Sequence, residues 1–74
     1  MMFIVLENRI NPNTATLESL TRLPNIGVAR ANAIISYRQN SGSGHPFKNY
    51  TDLENVKGIG EKIAQQLNEY LIFE

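Results

Sequence analysis

Apolar residues recur along the chain in two blocks that share helical spacing. The first stripe consists of Ala31, Ile34, Ile35 and the aliphatic stem of Arg38. The second stripe consists of Ile63, Ala64, Leu67 and Leu71. This spacing places the side chains of each block on one face of a helix, so the pattern predicts two amphipathic helices, the first over about 28–40.

The two blocks belong to a longer repeat with an offset of 33 residues. The identical pairs are Leu20/Leu53, Ile26/Ile59, Gly27/Gly60, Ala31/Ala64 and Tyr37/Tyr70. The conservative pairs are Leu23/Val56, Asn25/Gly58 and Ile34/Leu67. A match at a fixed period indicates a repeated structural unit. The chain is therefore predicted to hold two copies of a helix–break–helix unit.

A shorter helix is predicted to begin each copy. In the first copy Asn13 or Thr14 is expected to cap a helix that ends near Leu20. In the second copy Thr51 and Glu54 have the spacing of a capping box. The caps also account for the acidic residues in this stretch without any chemistry.

The loop over 41–46, which joins the copies, contains two serines, two glycines and a proline, which predicts a flexible connection. Phe47 and Tyr50 are expected to anchor the exit of this loop in the core. His45 is alone in the loop without a second ligand at metal spacing, so we expect it to be exposed to solvent. Core packing is the expected role of Tyr37 and Tyr70.

Seventy-four residues fit one domain, predicted as an N-terminal extended segment over 1–9 and a helical domain over 10–74. The apolar run over 1–6 is shorter than the ~20 residues that span a bilayer, and it lacks the basic flank of a signal peptide. As written, the chain is expected to be cytoplasmic and not to bind membranes. It would be exported if it is part of a longer precursor. The absence of cysteine excludes disulfides and thiolate metal sites.

The breaks between the helices carry the most specific pattern. They read Leu23-Pro24-Asn25-Ile26-Gly27 and Val56-Lys57-Gly58-Ile59-Gly60, each followed four residues later by alanine. A tight turn needs positive φ, which Gly supplies easily and Asn tolerates best among the other residues. The isoleucine can point inward and fix the turn to the core. Uncovered backbone N–H groups at the start of the next helix then form a site for an anion.

In these breaks the chain resembles the tandem helix-hairpin-helix domain of competence-type DNA-uptake (ComEA-like) proteins. Other matching stretches are Ile10-Asn11-Pro12-Asn13-Thr14-Ala15, Ala33-Ile34-Ile35-Ser36-Tyr37-Arg38, Pro46-Phe47, Asp52-Leu53 and Glu61-Lys62. The resemblance implies an all-α fold, a compact five-helix domain made of two helix-hairpin-helix motifs. It also implies that the domain holds the phosphate backbone of DNA, expected to be double-stranded, through backbone amides.

The DNA-binding residues expected on this basis are Arg22, Asn25, Ile26, Gly27 and Arg30 in the first copy, and Lys57, Gly58, Ile59, Gly60 and Lys62 in the second. The basic residues have the alternative of being solvated surface charges. Asn25 stands where the family has Gly, so the first hairpin is expected to be the weaker site. Glu61 is expected to stabilise the start of its helix through the helix dipole.

The charge balance limits how strongly such a domain can bind. Seven Lys and Arg against seven Asp and Glu give a formal net charge of zero, whereas a basic excess is usual for nucleic-acid binding. The alternative function is a protein-interaction or scaffold domain that has lost DNA contact, with a partner or a second copy held through Phe3-Ile4-Val5-Leu6. The residues form no recognisable catalytic constellation, so no enzyme activity is expected. No cofactor is expected, and a monovalent cation at a hairpin remains open.

Overall fold

The computed structural model describes residues 9–74. Their helical elements are α1 (Leu17–Leu20), α2 (Val28–Asn40), a first 3-10 helix (Tyr50–Asn55), α3 (Glu61–Leu67) and a second 3-10 helix (Asn68–Tyr70). The predicted all-α fold with two hairpins is confirmed, with the difference that two of these segments are 3-10 rather than α-helical. Residues 1–8 of the extended segment predicted over 1–9 lie outside the described residues. The apolar surface predicted at Phe3-Ile4-Val5-Leu6 lies there too.

The sequence repeat forms the hydrophobic core. Its buried apolar side chains come from the repeat pairs Leu20/Leu53, Leu23/Val56, Ile26/Ile59, Ala31/Ala64 and Ile34/Leu67. Phe47 and Leu71 complete the core among the described residues, and neither belongs to a repeat pair. Because equivalent residues of both copies are buried together, the two hairpins share one core and depend on each other for stability.

The first helix begins later than the sequence predicted. Thr16 is the N-cap of α1, and its hydroxyl accepts a hydrogen bond from the Ser19 amide at 3.2 Å. The prediction of Asn13 or Thr14 as the cap was wrong. The amide of Thr14 instead donates to the Asn11 carbonyl at 3.1 Å, so this residue lies in a turn that precedes the helix.

Asn13 has a different role, because it clamps the loop exit. Its Oδ1 accepts from the Phe47 amide at 2.9 Å, and its Nδ2 donates to the Phe47 carbonyl at 2.9 Å. Phe47 is 1% exposed, and its ring stacks on Tyr37 with centroids 5.5 Å apart. The predicted anchoring of the loop exit by Phe47 is therefore confirmed, while Tyr50 packs against the core only in part.

The cap of the second copy also differs from the prediction. The first 3-10 helix is capped by Asn49, whose side chain accepts from the Thr51 amide at 3.0 Å. Asp52 completes the capping box and accepts from the Lys48 amide at 2.7 Å. The predicted pair Thr51 and Glu54 was wrong because the helix begins two residues earlier than the sequence pattern suggested.

The two ends of the described chain are held together. The Ile10 amide donates to the Tyr70 carbonyl, and the Ile72 amide donates to the Ile10 carbonyl, both at 2.9 Å. These bonds form an isolated parallel bridge between Ile10 and Leu71. Arg38 adds a bond from Nη1 to the Pro12 carbonyl at 2.9 Å, and burial of its guanidinium lowers the pKa of Arg38. Within residues 9–74, no helix has both the length and the apolar character needed to cross a membrane.

Candidate nucleic-acid interface

The two hairpin turns have the same backbone geometry. Asn25 and Gly58, which are equivalent in the repeat, have positive φ values of 66° and 92°. The Ile26 amide donates to the Leu23 carbonyl at 3.2 Å, and the corresponding bond in the second copy, from the Ile59 amide, is 3.1 Å. The predicted tight turns are therefore present in both copies, and Asn25 adopts the left-handed backbone that glycine adopts in the other.

A glycine stands at the N-cap of each second helix. Gly27 and Gly60 have φ values of −91° and −97°, which any residue adopts. A Cβ built on either glycine meets no atom within 4 Å. Neither backbone conformation nor packing therefore requires glycine at these two positions. What glycine provides is open space directly in front of the helix start.

The open space faces backbone N–H groups that the helix itself cannot satisfy. The first amides of a helix have no intrahelical acceptor, and neither Gly27 nor Gly60 supplies a side-chain cap. The first intrahelical bonds are those from the Ala31 amide to Gly27 and from the Ala64 amide to Gly60. In this part of the chain the amides of residues 28–30 and 61–63 are thus available to an anion. Among these six residues Val28, Ala29, Glu61 and Ile63 were not predicted as site residues, although counting from a helix start identifies them.

Ile26 and Ile59 support the turns and are not exposed to a ligand. Both side chains are 3% exposed, and both amides are used inside the turns. The sequence placed these two residues among the DNA contacts. In the structure they fix the shape of the turn that orients the neighbouring amides.

The basic residues near the hairpins differ in their surroundings. Arg22, Lys57 and Lys62 are exposed, as a phosphate contact requires. The first turn of α2 contains no acidic residue, whereas Glu61 lies exposed in the first turn of α3. These charges favour an anion more at the first hairpin than at the second, which opposes the order expected from Asn25.

Two of the predicted site residues have side chains that connect the copies. Asn25 donates from Nδ2 to Oε1 of Gln66 on α3 at 2.7 Å, so its amide is directed toward the other copy. Arg30 on α2 donates to the carbonyls of Asn25 and Gly58 at 3.1 and 2.7 Å. The partner residue Gln66 was not predicted, because hydrogen bonds between copies leave no periodic signal in the sequence.

Each turn borders a shallow cavity that it forms with the second helix of the other copy. The larger, of about 430 Å³, is lined by Ala29, Arg30, Ala33, Lys57 and Gly58. The smaller, of about 300 Å³, is lined by Pro24, Asn25, Gln66, Glu69 and Tyr70. The turn residues of the two cavities are equivalent in the repeat, as are Ala33 and Gln66 on the helices.

The two equivalent tyrosines have different environments. Tyr37 packs against the core, as predicted, whereas Tyr70 is 36% exposed and borders the smaller cavity. The prediction of core packing for Tyr70 was wrong because the α-helix of the second copy ends at Leu67. Tyr70 instead lies in the 3-10 helix Asn68–Tyr70, whereas Tyr37 lies within α2.

His45 is exposed, as predicted. Residues 9–74 contain no group of three or more His, Cys, Asp or Glu side chains arranged to hold a metal ion. The geometry that can bind an anion is the pair of helix starts that follow Gly27 and Gly60.

This geometry agrees with comparisons to known proteins. Residues 5–72 match the family described as helix-hairpin-helix motif, and the chain belongs to this family. It is 41% identical over 58 residues to ComE operon protein 1 of Bacillus subtilis, which confirms the resemblance to competence-type domains. It is also 39% identical over 64 residues to endonuclease/exonuclease/phosphatase family domain-containing protein 1 of Homo sapiens. A third relative is an uncharacterized protein of Haemophilus influenzae, 34% identical over 70 residues.

The chain corresponds to only part of each relative. The matched segments cover 78%, 86% and 93% of this chain, but 27%, 11% and 60% of the Bacillus, human and Haemophilus proteins. The human relative carries a domain of this kind within a protein named for a different domain. The similarity therefore identifies the family of the domain.

The two glycines of the second hairpin should respond differently to alanine. Gly58→Ala should lower the free energy of unfolding by roughly 1–2 kcal/mol, because an L-residue is strained at positive φ. Gly60→Ala should cost less, at most about 1 kcal/mol, since its φ is ordinary and its Cβ meets open space, and only the poorer N-cap preference of alanine counts against it. Urea denaturation of the two variants measures both values. Equal losses would contradict the assigned roles.

Proposed function

We propose that this chain is a non-catalytic DNA-binding module that holds the phosphate backbone of duplex DNA without reading its sequence. Two phosphate sites, one in each hairpin, are formed by the backbone amides that follow Gly27 and Gly60. The exposed side chains of Arg22, Lys57 and Lys62 add positive charge around them. Membership in the helix-hairpin-helix family and similarity to a competence operon protein support this proposal.

The observation that carries the proposal is the pair of open glycine N-caps. A structural glycine is usually explained by positive φ or by a close neighbour, and Gly27 and Gly60 have neither. A phosphate that approaches the helix start needs this space, and it meets N–H donors together with the positive end of the helix dipole. The same unexplained glycine at both equivalent positions favours a shared ligand over coincidence.

The net charge of zero determines how this binding should behave. Contacts to about two to four phosphates predict a log–log salt slope of roughly −2 to −4. Affinity should be weak, with a dissociation constant in the range of ~1–100 μM that is typical of non-specific contacts. Duplexes of different sequence should bind alike, because contacts to phosphate carry no base information.

An amide-shift titration with a short duplex at low salt tests the proposal. We expect the largest shifts at residues 27–30 and 60–63, and small shifts in the connecting loop at 41–45. A second duplex of unrelated sequence and equal length should shift the same peaks by the same amount. Peaks of both hairpins that stay in place at about 100 μM duplex, the weak end of non-specific affinity, would rule out the phosphate sites.

A scaffold function is the second candidate, and two observations favour it. The net charge is zero, and Val28, 59% exposed, places an apolar side chain at the start of α2. In that case Val28→Ser should weaken capture of a protein partner and leave the fold unchanged. The titration above separates the candidates, because a scaffold that has lost DNA contact leaves the hairpin amides unshifted.

A further inference from the structure

We infer that Arg30 is a positioning residue, which holds the two hairpin turns at a fixed spacing and does not itself contact phosphate. The inference rests on the proposed function and deepens it. From the sequence, Arg30 is expected to be one of several cations that face DNA. Its hydrogen bonds in the structure assign it a different task.

The guanidinium of Arg30 connects equivalent points of the two copies. Nε donates to the Gly58 carbonyl at 2.7 Å, and Nη1 donates to the Asn25 carbonyl at 3.1 Å. Asn25 and Gly58 are the residues with positive φ in the two turns, and they are related by the repeat. One side chain thus bonds to both turns at the position where each backbone reverses.

The side chain of Arg30 lies against the second turn. A Cβ at Gly58 would lie 3.5 Å from Cγ and 3.7 Å from Nε of Arg30, so the arginine lies directly across the turn. The two donors point in directions fixed by the planar guanidinium, which suits two separate carbonyls. A lysine carries the same charge as a single point on a flexible stem and does not reproduce this geometry.

The two hydrogen bonds of Arg30, called here the Arg30 bridge, matter for binding because each hairpin alone is a weak anion site. Two sites that bind one duplex gain affinity from the high effective concentration of the second site once the first is occupied. That gain requires that the spacing of the sites match the spacing of the phosphates. A side chain that fixes the two turns relative to each other therefore raises affinity without contributing a phosphate contact of its own.

An arginine that contacts phosphate and an arginine that only positions the turns predict different salt dependences of duplex affinity. Removal of a phosphate contact reduces the magnitude of the log–log salt slope by about one. Loss of a positioning bond lowers affinity at every salt concentration and leaves the slope unchanged, because the phosphate contacts themselves persist. Removal of a residue with a purely structural role would change only the stability of the domain. The affinity and the salt slope of the folded protein would both stay unchanged.

The test measures duplex affinity and salt slope for Arg30→Lys and Arg30→Gln by fluorescence anisotropy. We expect both variants to bind roughly tenfold more weakly than wild type, through loss of effective concentration, with an unchanged slope. Arg9→Lys is the matched control, since Arg9 is exposed, lies outside both hairpins and keeps a positive charge in the variant; its affinity should stay within about twofold of wild type. Thermal unfolding confirms that each variant is folded at the assay temperature.

Two results would overturn the inference. Wild-type affinity for Arg30→Lys, together with a slope lower by about one for Arg30→Gln, would make Arg30 a phosphate contact. Unchanged affinity for both variants would make the bridge irrelevant to binding. If the wild-type chain itself does not bind duplex, the proposed function fails first, so the two failures are distinguishable.

A measurement without DNA checks the bridge directly. In Arg30→Lys, the amide peaks next to Asn25 and Gly58 should both shift, because one side chain bonds to both carbonyls. The peaks of the buried Phe47 and Ala64, which do not adjoin residue 30 in sequence, should stay close to their wild-type positions. A shift confined to one turn would show that Arg30 does not connect the hairpins.

Discussion

Replacement of Gly27 and Gly60 together by aspartate should abolish binding to duplex DNA and leave the fold intact. Both positions are N-caps with extended backbone and open space, and aspartate is among the residues that this position prefers. Its carboxylate would accept hydrogen bonds from the same amides that a phosphate would use. It would also repel the approaching phosphate, so affinity should fall by at least about 100-fold, beyond the range that non-specific contacts can sustain.

A charge-matched control separates loss of the sites from a change in net charge. Ser43→Asp with Gly44→Asp adds the same two charges in the connecting loop, where a Cβ at Gly44 meets no neighbour. The loop follows the far end of α2, a helix of 13 residues, and therefore lies about 20 Å from Gly27. This exceeds the Debye length of about 10 Å at 0.1 M salt, so the control should lose only a few-fold in affinity.

Equal affinity losses in the two double variants would contradict the amide sites and leave only a general electrostatic attraction. The aspartate variant has a further internal check. An N-cap aspartate stabilises the helix that it begins, so the melting temperature should stay equal or rise slightly. A lower affinity that comes with a lower melting temperature would mean that the fold had been damaged, and the geometric argument about Gly27 and Gly60 would then be wrong.

The repeat allowed the core to be predicted from sequence. Residues such as Leu20 and Leu53, or Ile26 and Ile59, are matched in the repeat because each occupies the same place in an equivalent hairpin. Burial imposes the same apolar requirement on both copies. The positive φ at Asn25 and Gly58 was predictable for the same kind of reason, since few residues tolerate that conformation.

Contacts between copies and the exact helix starts were not predictable in this way. Asn13, Thr14 and Thr16 all favour helix caps; the clamp of Asn13 on Phe47 and the turn that contains Thr14 leave Thr16 as the cap of α1. Arg30 likewise belongs to the residue types expected at a phosphate-binding edge. Its orientation toward two carbonyls depends on how the hairpins pack, which a one-dimensional pattern does not encode.

Truncation of Phe47 to alanine should be the most destabilising single change in the domain. Phe47 is 1% exposed, stacks on Tyr37 and belongs to the core without an equivalent in the other copy. No second residue of the same kind can therefore compensate for the cavity. Loss of a buried phenylalanine side chain costs about 3–5 kcal/mol. A domain of 74 residues is expected to have a total stability of roughly 4–11 kcal/mol, so the variant should be close to unfolding.

Urea denaturation measures this effect, with Tyr70→Ala as the matched control because Tyr70 is an aromatic residue at the surface. The control should lose less than about 1 kcal/mol. Because the backbone of Phe47 stays bonded to Asn13 in the variant, the measured difference reports the side chain alone. Both hairpins should unfold in one transition, since their equivalent residues share a single core. Two separate transitions would show that the copies are stabilised independently, and a loss below about 1 kcal/mol for Phe47→Ala would contradict its role in the core.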